Sequence, residues 1–384
     1  MTTGLVLFTR DLRVRDNPAL AAAAREHEQL LPLFVLDDHL VTAAGERRQA
    51  FLADALHDLS GSLGGLAVRR GETVAETVKL ARAVGAHTVH VADDASVFAQ
   101  RRVRRLSEVI EVRVHPSTSV VPLDALPTTS GGAYRVFTPY WRVWRTFPRR
   151  AIEAPPRVTL PDGVDLGVLP DARDSQWRGG EAEGRRRLRR FLVDGLGAYG
   201  GDAPELADGA SSGLSAYLHF GCLSPLEAAV LGESNDRFVR QLCWRDFFLQ
   251  LFAAHPSLER DDLHAPRYAV RDDPERLEAW REGATGIAIV DAAMRHLNAE
   301  GWLPNRARLI AASYLAKSLR IDWRHGAAHF AEHLVDADVA SNAGNWQWVA
   351  GTGTDTRPNR MLNPERQAAR HDPDGAYVAR HSDS

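Results

Sequence analysis

Two tryptophans lie one residue apart in the segment SNAGNWQWVAGTGTD, residues 341–355. Asn342 precedes Trp346 and Trp348, and glycines stand before and behind the two indoles. Indole rings stack on flat ligands such as nucleobases and flavins, but tryptophans also fill protein cores. The spacing alone favours core filling, whereas the neighbouring glycines favour the close approach of something flat.

Polar, aromatic and apolar side chains share the segment VRQLCWRDFFLQLF, residues 239–252. Residues three, four and seven apart are neighbours on a helix. That spacing puts on one face Gln241, Trp244, Arg245 and Phe248. The apolar residues by themselves indicate core. Polar groups on a buried face need partners, however, and a bound ligand is one candidate to supply them.

Opposite charges stand in two later segments. The helical pattern of residues 304–319 begins with Asn305, Arg306 and Arg308. Two aspartates, Asp336 and Asp338, lie one residue apart in an otherwise apolar stretch. They are either a solvated turn or partners for a buried arginine, and Arg308 is a candidate for that arginine.

Small hydroxyl residues and glycines alternate in GASSGLSAYLHFGCLSP, residues 209–225. The backbone amides and hydroxyls around Ser211, Ser212 and Ser215 are suited to a phosphate. A polar turn that caps a helix at 214–219 explains the same residues equally well. Both interpretations stay open at this point.

The first part of the chain alternates strand-like apolar runs with helical stretches. The strand-like runs are 4–9, 30–38, 66–71 and 87–94, and helical patterns at 47–62 and 75–84 stand between them. Asn17 and Pro18 provide a helix cap and first position. This alternation predicts an α/β, doubly wound parallel sheet for residues 1–127, with a nucleotide-like ligand at the carboxyl ends of its strands.

The remainder divides into a connector and a helical region. Residues 128–178 are rich in proline, glycine and aspartate in their second half, which is typical of a long irregular connector. Residues 179–384 then show a helical pattern throughout. The predicted helices are 180–198, 224–232, 234–254, 274–282, 285–300, 304–319 and 325–335.

Composition sets limits on the class of protein. A chain of 384 residues is long enough for two domains, since single cores seldom exceed ~250–300 residues. There is no apolar run of about 18 residues, so no membrane segment is predicted and a cytoplasmic protein is expected. The two cysteines, Cys222 and Cys243, form no CxxC pair, so neither disulfides nor a metal site is predicted. The net charge is −3, yet arginines cluster at 101–105 and 185–190.

Six motifs, in order and spacing, make the chain resemble the DNA photolyase and cryptochrome family, and most closely the bacterial class I cyclobutane pyrimidine dimer photolyases. The motifs are LFTRDLRVRDNPAL, SSGLSAYLHFGCLSP, WRDFF, TGIAIVDAAMRHLNAEGWLPNRAR, DADVASN and GNWQWVAGTGTDTRPNRMLNP. The likeness extends from about residue 4 to residue 378. It implies a Rossmann-like N-terminal domain that holds an antenna pigment, and an all-helical C-terminal domain that holds FAD.

The resemblance also implies roles for single residues around the flavin. The expected flavin-site residues are Tyr199, Ser211, Ser212, Leu214, Ser215, Arg245, Asn305, Arg308, Asp336, Asp338 and Asn342. Asn342 is expected at N5 of the isoalloxazine ring. Asp336 is expected to bond the flavin, while Arg308 pairs with Asp338. The antenna pigment is of deazaflavin or folate type, and no residue is assigned to it.

The implied function is light-driven repair of cyclobutane pyrimidine dimers in ultraviolet-damaged DNA, by electron transfer from reduced FAD to a flipped-out lesion. The catalytic residues that the resemblance implies are Gln241, Trp244 and Trp348, which face the lesion, and Asn342 at the flavin. Arg306 and Arg360 match arginines that bind the flanking phosphates. The protein is expected to be a monomer without an obligate protein partner.

A tryptophan chain that reduces oxidised flavin is implied in the same way. Trp346 matches the member next to the flavin and Trp323 the middle one. Val270 falls at the distal position, so Tyr268 or Trp280 is a candidate substitute.

Two lesion-facing positions depart from the cyclobutane-dimer pattern, because Gln241 replaces a glutamate and Leu309 replaces a methionine. Glutamine at this position is similar to the (6-4) photolyases and animal cryptochromes. The segment WLPNRAR, however, lacks the histidine pair of the (6-4) enzymes. Cyclobutane-dimer repair is therefore the leading hypothesis, with a blue-light photoreceptor or (6-4) repair as alternatives.

Overall fold

A computed structural model describes residues 2–126, 128, 131–173, 175–201, 204–206 and 211–382, apart from the side chain of Ala43. The chain forms two compact units from interleaved segments. The first unit is 1–126, 143–189 and 214–234, and the second is 127–142, 190–213 and 235–384. The sequence predicts domain boundaries at 127 and 178, where the expected type of structure changes along the chain. These two boundaries stay predictions.

The first unit contains a five-stranded, fully parallel sheet with strand order β3-β2-β1-β4-β5. Its strands are β1 (Thr3–Phe8), β2 (Gln29–Leu36), β3 (Ala67–Arg70), β4 (Thr88–Ala92) and β5 (Glu111–His115). The strand order reverses direction between β1 and β4, as in doubly wound folds. The predicted α/β class is confirmed.

The edge strand β5 was not predicted from the sequence. Glutamate, arginine and histidine alternate with its two valines, and none of its five residues is fully buried. Charged residues on an edge strand discourage pairing with other chains, and they also erase the apolar run that marks the inner strands. The inner strands β1, β2 and β4 are buried along nearly their whole length.

A first group of helices precedes residue 235. They are α1 (Pro18–Glu26), α2 (Asp38–Ala43), α3 (Glu46–Leu63), α4 (Thr73–Ala83), α5 (Val97–Ser107), α6 (Phe137–Thr146), α7 (Glu181–Arg190), α8 (Ser215–His219) and α9 (Pro225–Leu231). Asn17 caps α1 as predicted, because its side chain accepts a hydrogen bond from the Leu20 N–H. The predicted irregular connector is wrong for α6, whose amphipathic sequence FTPYWRVWRT lies inside it.

All helices that follow residue 235 belong to the second unit. They are α10 (Asp236–Ala254), α11 (Pro274–Glu282), α12 (Ala288–Glu300), α13 (Asn305–Ser313), α14 (Trp323–His333), α15 (Val339–Ala350), α16 (Pro364–His371) and α17 (Ala376–Arg380). A π-helical turn, Tyr314–Leu319, extends α13. The predicted helical region is confirmed, and α15 to α17 add to it. Its core includes the fully buried Trp280, Met294 and Ile310.

The second unit also contains a π-helical turn, Phe191–Gly195, and a short 3₁₀ turn, Leu196–Ala198. Together with α7 they account for the predicted helix at 180–198. Among the helices of the described chain, none has the length and apolar character needed to cross a lipid bilayer.

Candidate active site

A cavity of about 290 Å³ lies in the second unit, between helices α10, α13 and α15. Its lining residues are Gln241, Trp244, Arg245, Phe248, Asn305, Leu309, Ser341, Asn345 and Trp348. The four residues of α10 are those that helical spacing put on one face. The structure therefore brings together residues that the sequence singled out in three separate segments.

Helix α10 presents its polar face to this cavity because its ends and its opposite face are fixed. The Asn235 side chain caps the helix and accepts hydrogen bonds from the N–H groups of Arg237 and Phe238. The opposite side is buried through residues such as Leu242 and Phe247. This packing fixes the rotation of α10 about its axis, and with it the direction of the cavity-lining side chains.

Trp244 is held by a residue that sequence reasoning missed. Phe137, the first residue of α6, stacks on Trp244 with ring centroids 3.6 Å apart and an interplanar angle of 5°. Phe137 is buried, and the Arg240 guanidinium lies 5.2 Å from its ring centroid. One face of the indole is therefore covered by protein, while Trp244 still lines the cavity.

The glycines beside the tryptophans serve close packing between helices. A Cβ on Gly344 of α15 would collide with the Phe248 ring, and a Cβ on Gly326 of α14 would collide with Trp346. The segment that looked flexible is a regular helix, which ends at Gly351 in the left-handed conformation with φ +80°. Gly344 thus brings α15 close to the aromatic face of α10, and Gly326 brings α14 close to α15.

Trp346 and Trp348 occupy different surroundings. Residues two apart on a helix point about 200° from each other, because each residue turns the helix by about 100°. Trp346 is buried, and its ring centroid lies 5.0 Å from that of Phe330 and 6.1 Å from that of Trp280. Trp348 is half-buried and lines the cavity. Trp346 therefore fills the core, whereas Trp348 packs against that core and also lines the cavity.

Two further residues of α15 line the cavity and were not predicted. Ser341 and Asn345 share a helical face with Trp348, from which they are seven and three residues away. That periodicity is visible in the sequence once residues 339–350 are taken as a helix. Asn342 lies on the neighbouring face, outside the cavity lining, where its side-chain N–H₂ donates to the Ala327 carbonyl at 2.9 Å.

Arg308 pairs with Asp336, and the expected pair with Asp338 is corrected accordingly. The Arg308 Nη2 lies 2.7 Å from Asp336 Oδ2, and its Nε donates to the Leu303 carbonyl at 2.9 Å. Asp338 caps α15, because its carboxylate accepts the Ser341 N–H at 2.8 Å. Asp338 accepts a backbone N–H at the start of α15, so Asp336 is the aspartate that pairs with Arg308.

The other oxygen of Asp336 points to a missing partner. Asp336 is buried, and its Oδ1 has no hydrogen-bond partner among the described residues. Buried carboxylate oxygens in folded proteins almost always accept a hydrogen bond. A donor that the described chain does not supply would satisfy this oxygen.

The two predicted phosphate-binding arginines differ in their surroundings. Arg306 forms two hydrogen bonds with Glu205, at 2.8 and 3.1 Å, and a longer one with Gln367 at 3.4 Å. Arg360 is exposed. Arg306 must exchange its carboxylate partner for any phosphate that it binds.

The predicted phosphate loop is described only in part, since Gly209 lies outside the described residues. Ser211 is exposed and Ser212 is half-buried in the second unit. Leu214 is buried and Ser215 is exposed at the start of α8, in the first unit. Their contacts with the flavin stay predictions.

Gly221 serves packing inside the first unit. It has φ +70°, and a Cβ there would collide with the Arg10 carbonyl. The Arg13 Nη1 also donates to the Gly221 carbonyl at 3.0 Å. This glycine is explained by a close backbone approach, without a phosphate.

Tyr199 lies in an aromatic cluster of the second unit. Its ring is T-shaped to Phe191 and Phe238, with centroids 5.5 and 5.7 Å away. The Asn235 amide donates to the Tyr199 carbonyl at 3.2 Å. Burial raises the pKa of Tyr199 to about 12, so its hydroxyl stays protonated at neutral pH.

The candidate electron-transfer residues differ in their access to solvent. Trp323 donates its indole N–H to Asp262 at 2.8 Å and lines a small cavity of about 100 Å³ together with Tyr268 and Val270. Tyr268 is 38% exposed, whereas Trp280 is fully buried and donates its indole N–H to the Ala311 carbonyl. Of the two candidate substitutes, only Tyr268 combines exposure with a place beside Trp323.

Comparison with known proteins agrees with this arrangement. Residues 4–158 match the DNA photolyase family model, and residues 238–382 match the model for the FAD binding domain of DNA photolyase. A deoxyribodipyrimidine photo-lyase of Streptomyces griseus is 44% identical, over 98% of this chain and 89% of that protein. The chain belongs to the DNA photolyase family.

Solved structures show the same fold. An archaeal photolyase from Sulfolobus tokodaii, described with two FAD molecules, superposes with a TM-score of 0.88 at 29% identity and covers 99% of this chain and 90% of that one. A Synechocystis cryptochrome superposes with a TM-score of 0.88 at 28% identity, over 99% of this chain and 88% of that one. Photolyases and cryptochromes therefore share the fold of this chain.

FAD is the cofactor of the helical region, and the residues present fit it. The unpartnered Asp336 Oδ1 needs a hydrogen-bond donor, and a flavin offers N–H and O–H groups. Arg245 and Asn305 add a cation and an amide to the same region. The identity of an antenna pigment, of deazaflavin or folate type, stays a prediction.

Proposed function

We propose that this protein repairs cyclobutane pyrimidine dimers in DNA with light, as a deoxyribodipyrimidine photo-lyase. The observation that carries the proposal is the cavity in which Trp244 and Trp348 meet the amides of Gln241 and Asn305. A lesion inside a duplex is out of reach of a protein cavity, so the damaged bases must be flipped out of the stack. An aromatic cavity with a few amides suits two flipped, uncharged pyrimidines.

Stacking supplies the first part of recognition. Base–aromatic stacking contributes about 1–3 kcal/mol per base and does not depend on which base is present. Trp244 offers only its cavity side, because Phe137 covers the other face. Phe248 and Leu309 add apolar lining, which excludes water from the lesion.

Amides supply the second part. Gln241, Asn305 and Asn345 each carry a carbonyl oxygen and an N–H₂ group, which match the alternating acceptors and donors of a pyrimidine edge. Gln241 is exposed at the rim of the cavity in this structure. It orients the lesion without adding a charge, in contrast to the glutamate that the resemblance led us to expect.

Phosphate contacts supply affinity without sequence preference. We assign them to Arg306 and Arg360, of which Arg360 is exposed and Arg306 is bound to Glu205. Exchange of the Glu205 carboxylate for a DNA phosphate keeps Arg306 paired throughout. Such contacts weaken as salt concentration rises, because each phosphate neutralised releases counterions.

The flavin is held by residues of the set that the resemblance implied. Within the second unit these are Tyr199, Ser211, Ser212, Arg245, Asn305, Arg308, Asp336, Asp338 and Asn342. When bound in its reduced state and excited by light, FAD supplies the electron that opens the dimer. The part of Arg308 is to neutralise and orient Asp336, whose free oxygen would be the acceptor available to the cofactor.

Oxidised flavin needs a route for electrons from the surface. We assign this route to Trp346, Trp323 and Tyr268. Trp346 is buried, Trp323 lies beside the cavity that Tyr268 also lines, and Tyr268 is 38% exposed. Trp280 packs against Trp346 but is fully buried, so it has no direct exchange with a solvent reductant.

Lesion binding tests this proposal. Fluorescently labelled duplexes that carry one cyclobutane dimer, one (6-4) photoproduct or no lesion are titrated with the reduced protein in the dark. We expect the cyclobutane duplex to bind most tightly, and Trp244→Ala and Trp348→Ala to abolish most of that preference. Equal affinity for all three duplexes would contradict the proposal.

A blue-light receptor without repair is the second candidate, and Gln241 is the observation that favours it. The glutamine lacks the proton that an acid provides to a reduced lesion, and a cryptochrome has the same fold. Under this candidate, illumination changes the flavin but leaves the DNA unrepaired. The Gln241→Glu variant separates the two: a repair activity that arises only in the variant favours the receptor.

A further inference from the structure

Three histidines and a glutamate meet in the first unit, whereas the proposed active site belongs to the second. His90 lies in the middle of β4 and is fully buried, and His115 ends the edge strand β5. Glu26 is the last residue of α1, and His27 caps it. Helix α1 thus brings two ligand-type side chains to a pair of strands that carry two more.

The spacing of three donor atoms fits a single metal ion. His90 Nε2 lies 3.4 Å from His27 Nε2 and 3.5 Å from Glu26 Oε2. Ligands bound to zinc at about 2.0–2.1 Å in tetrahedral geometry lie about 3.3–3.4 Å from one another. Both distances from His90 Nε2 are therefore close to the edge length of a zinc tetrahedron, and Glu26, His27 and His90 each offer a ligand atom within 4.8 Å of the other two.

His115 fixes the ring of His90 from the other side. His90 Nδ1 lies 3.1 Å from His115 Nε2, and such a contact needs one N–H and one lone pair. When His90 donates, its Nε2 carries the lone pair that faces His27 and Glu26. A metal-binding histidine typically donates its other N–H to a neighbouring acceptor in this way.

Two further observations show that the cluster is built into the fold. A Cβ on Gly4 of β1 would collide with the His27 ring, so glycine at this position leaves the space that the ring occupies. His90 is also fully buried in β4, so its two ring nitrogens need partners inside the fold.

A competing cation is already present. The Arg113 Nη1 is hydrogen-bonded to Glu26 Oε2, the same oxygen that lies near His90. Arg113 is partly exposed and also bonds Glu111, so it can leave Glu26 without being buried alone. A divalent ion would replace the guanidinium at this oxygen.

We propose that Glu26, His27 and His90 form a binding site for a divalent transition metal of the zinc class, with His115 as the residue that positions His90. Two imidazoles and one carboxylate are a ligand set that Zn²⁺ accepts, with a fourth position left to water. The site would tie the end of α1 to β4. The cysteine pattern could not reveal this site, because none of the proposed ligands is a cysteine. The distance in sequence between His27 and His90 also hides the cluster.

Zinc titration of the FAD-containing protein, after treatment with a chelator, tests the proposal. Two other groups, His296–Glu300–His381 and His329–Glu332–His333, can also take zinc, so the titration is done in a His381→Gln, His333→Gln background. We expect one zinc equivalent per chain by equilibrium dialysis. His27→Gln and Glu26→Gln should each weaken it by tenfold or more, in line with the ~10–100-fold cost typical of disturbed metal sites.

His87→Gln is the matched control, because His87 is exposed just before β4 and outside the cluster. It should bind zinc as the background does. Unchanged circular dichroism and flavin absorbance show that each variant is folded. Arg113→Gln should bind zinc more tightly, since the competing cation is gone. Zinc binding that His27→Gln leaves unchanged, or the absence of a zinc equivalent in the background protein, would overturn the proposal.

Discussion

Phe137 lies face to face with Trp244, with ring centroids 3.6 Å apart and planes 5° from parallel. The two residues come from different helices, α6 and α10, and the contact presents one face of the indole to the cavity. The proposed lesion platform is therefore a two-layer stack, in which Phe137 fixes the orientation of Trp244 without itself lining the cavity.

Loss of the Phe137 ring should leave the orientation of Trp244 less well fixed. We expect Phe137→Ala to weaken binding of dimer-containing DNA by about 0.5–1.5 kcal/mol, the contribution of one aromatic pair, or roughly twofold to twelvefold in Kd. Phe137→Trp keeps the stack and should retain affinity. Fluorescence anisotropy with damaged and undamaged duplexes measures the effect. If Phe137→Ala binds the lesion as tightly as the original protein, Phe137 is not a positioning residue.

The Arg306–Glu205 pair should respond in opposite directions to its two substitutions. Glu205 is exposed, so loss of the pair costs little stability. Glu205→Gln frees Arg306 and should tighten binding to DNA, damaged or not. Arg306→Gln should weaken both, and should reduce the slope of log K against log salt by about 1.

The matched control for Arg306 is Arg276→Gln, an exposed arginine of α11 that pairs with Asp273. It should leave affinity and the salt slope unchanged. An Arg306→Gln variant with an unaltered salt slope would show that Arg306 does not contact phosphate.

Asp336 should couple cofactor retention to stability. Asp336→Ala leaves the Arg308 guanidinium without its buried carboxylate, which costs about 3–5 kcal/mol for fully buried pairs and less here, because Arg308 is partly exposed. We expect about 2–3 kcal/mol of lost stability, together with loss of FAD during purification. Urea unfolding and the ratio of flavin to protein absorbance measure the two effects. Full FAD retention in Asp336→Ala would remove Asp336 from the flavin site.

His296 should make stability depend on pH. Burial, with smaller effects of Arg380 and Arg308, lowers the pKa of His296 to about 4, below the ~6.5 of an unfolded histidine. The unfolded chain then binds the proton more strongly, so this stability is present above pH 6.5 and is lost as pH falls towards 4. Between pH 7.5 and 5.5 the loss is about 1 kcal/mol from this residue.

Urea unfolding of His296→Gln at both pH values checks this effect, since the variant should lose less stability on acidification. His57→Gln, at an exposed position, should behave as the original protein does. An identical pH dependence in all three proteins would show that His296 does not stay neutral.

Tyr268 should control photoreduction but not repair. Tyr268→Phe removes the exposed end of the proposed electron route, so blue light with a thiol reductant should reduce the flavin more slowly. Trp280→Phe, at a fully buried position, should change this rate little. Both variants should repair DNA normally once the flavin is chemically reduced. Slower photoreduction in Trp280→Phe alone would assign the route to Trp280.

Much of the fold could be predicted from the sequence, because the inner strands are unbroken apolar runs and the long helices have regular periodicity. The exceptions have physical causes. The edge strand β5 alternates valines with charged residues, and α15 carries glycines that resemble a flexible loop. Gly344 of α15 is needed for contact with Phe248, and Gly326 of α14 for contact with Trp346, which only the packed helices show.

The site was predictable to the extent that its residues share a helix. Spacing placed Gln241, Trp244 and Arg245 on one face, and the cavity confirms that they lie together. Spacing could not choose between Asp336 and Asp338 as the partner of Arg308, because that choice depends on which carboxylate the helix start uses. Nor could it find Phe137, whose contact with Trp244 joins distant parts of the chain.

The central claim is tested most directly by repair itself. Protein with fully reduced flavin is mixed with an oligonucleotide that carries one cyclobutane thymine dimer, illuminated with near-ultraviolet or blue light, and the recovery of thymine absorbance is followed. We predict restoration of both bases in the light, none in the dark, and loss of repair in Trp244→Ala with flavin still bound. Illumination that leaves the dimer intact, while the flavin stays reduced and the DNA stays bound, would contradict the account.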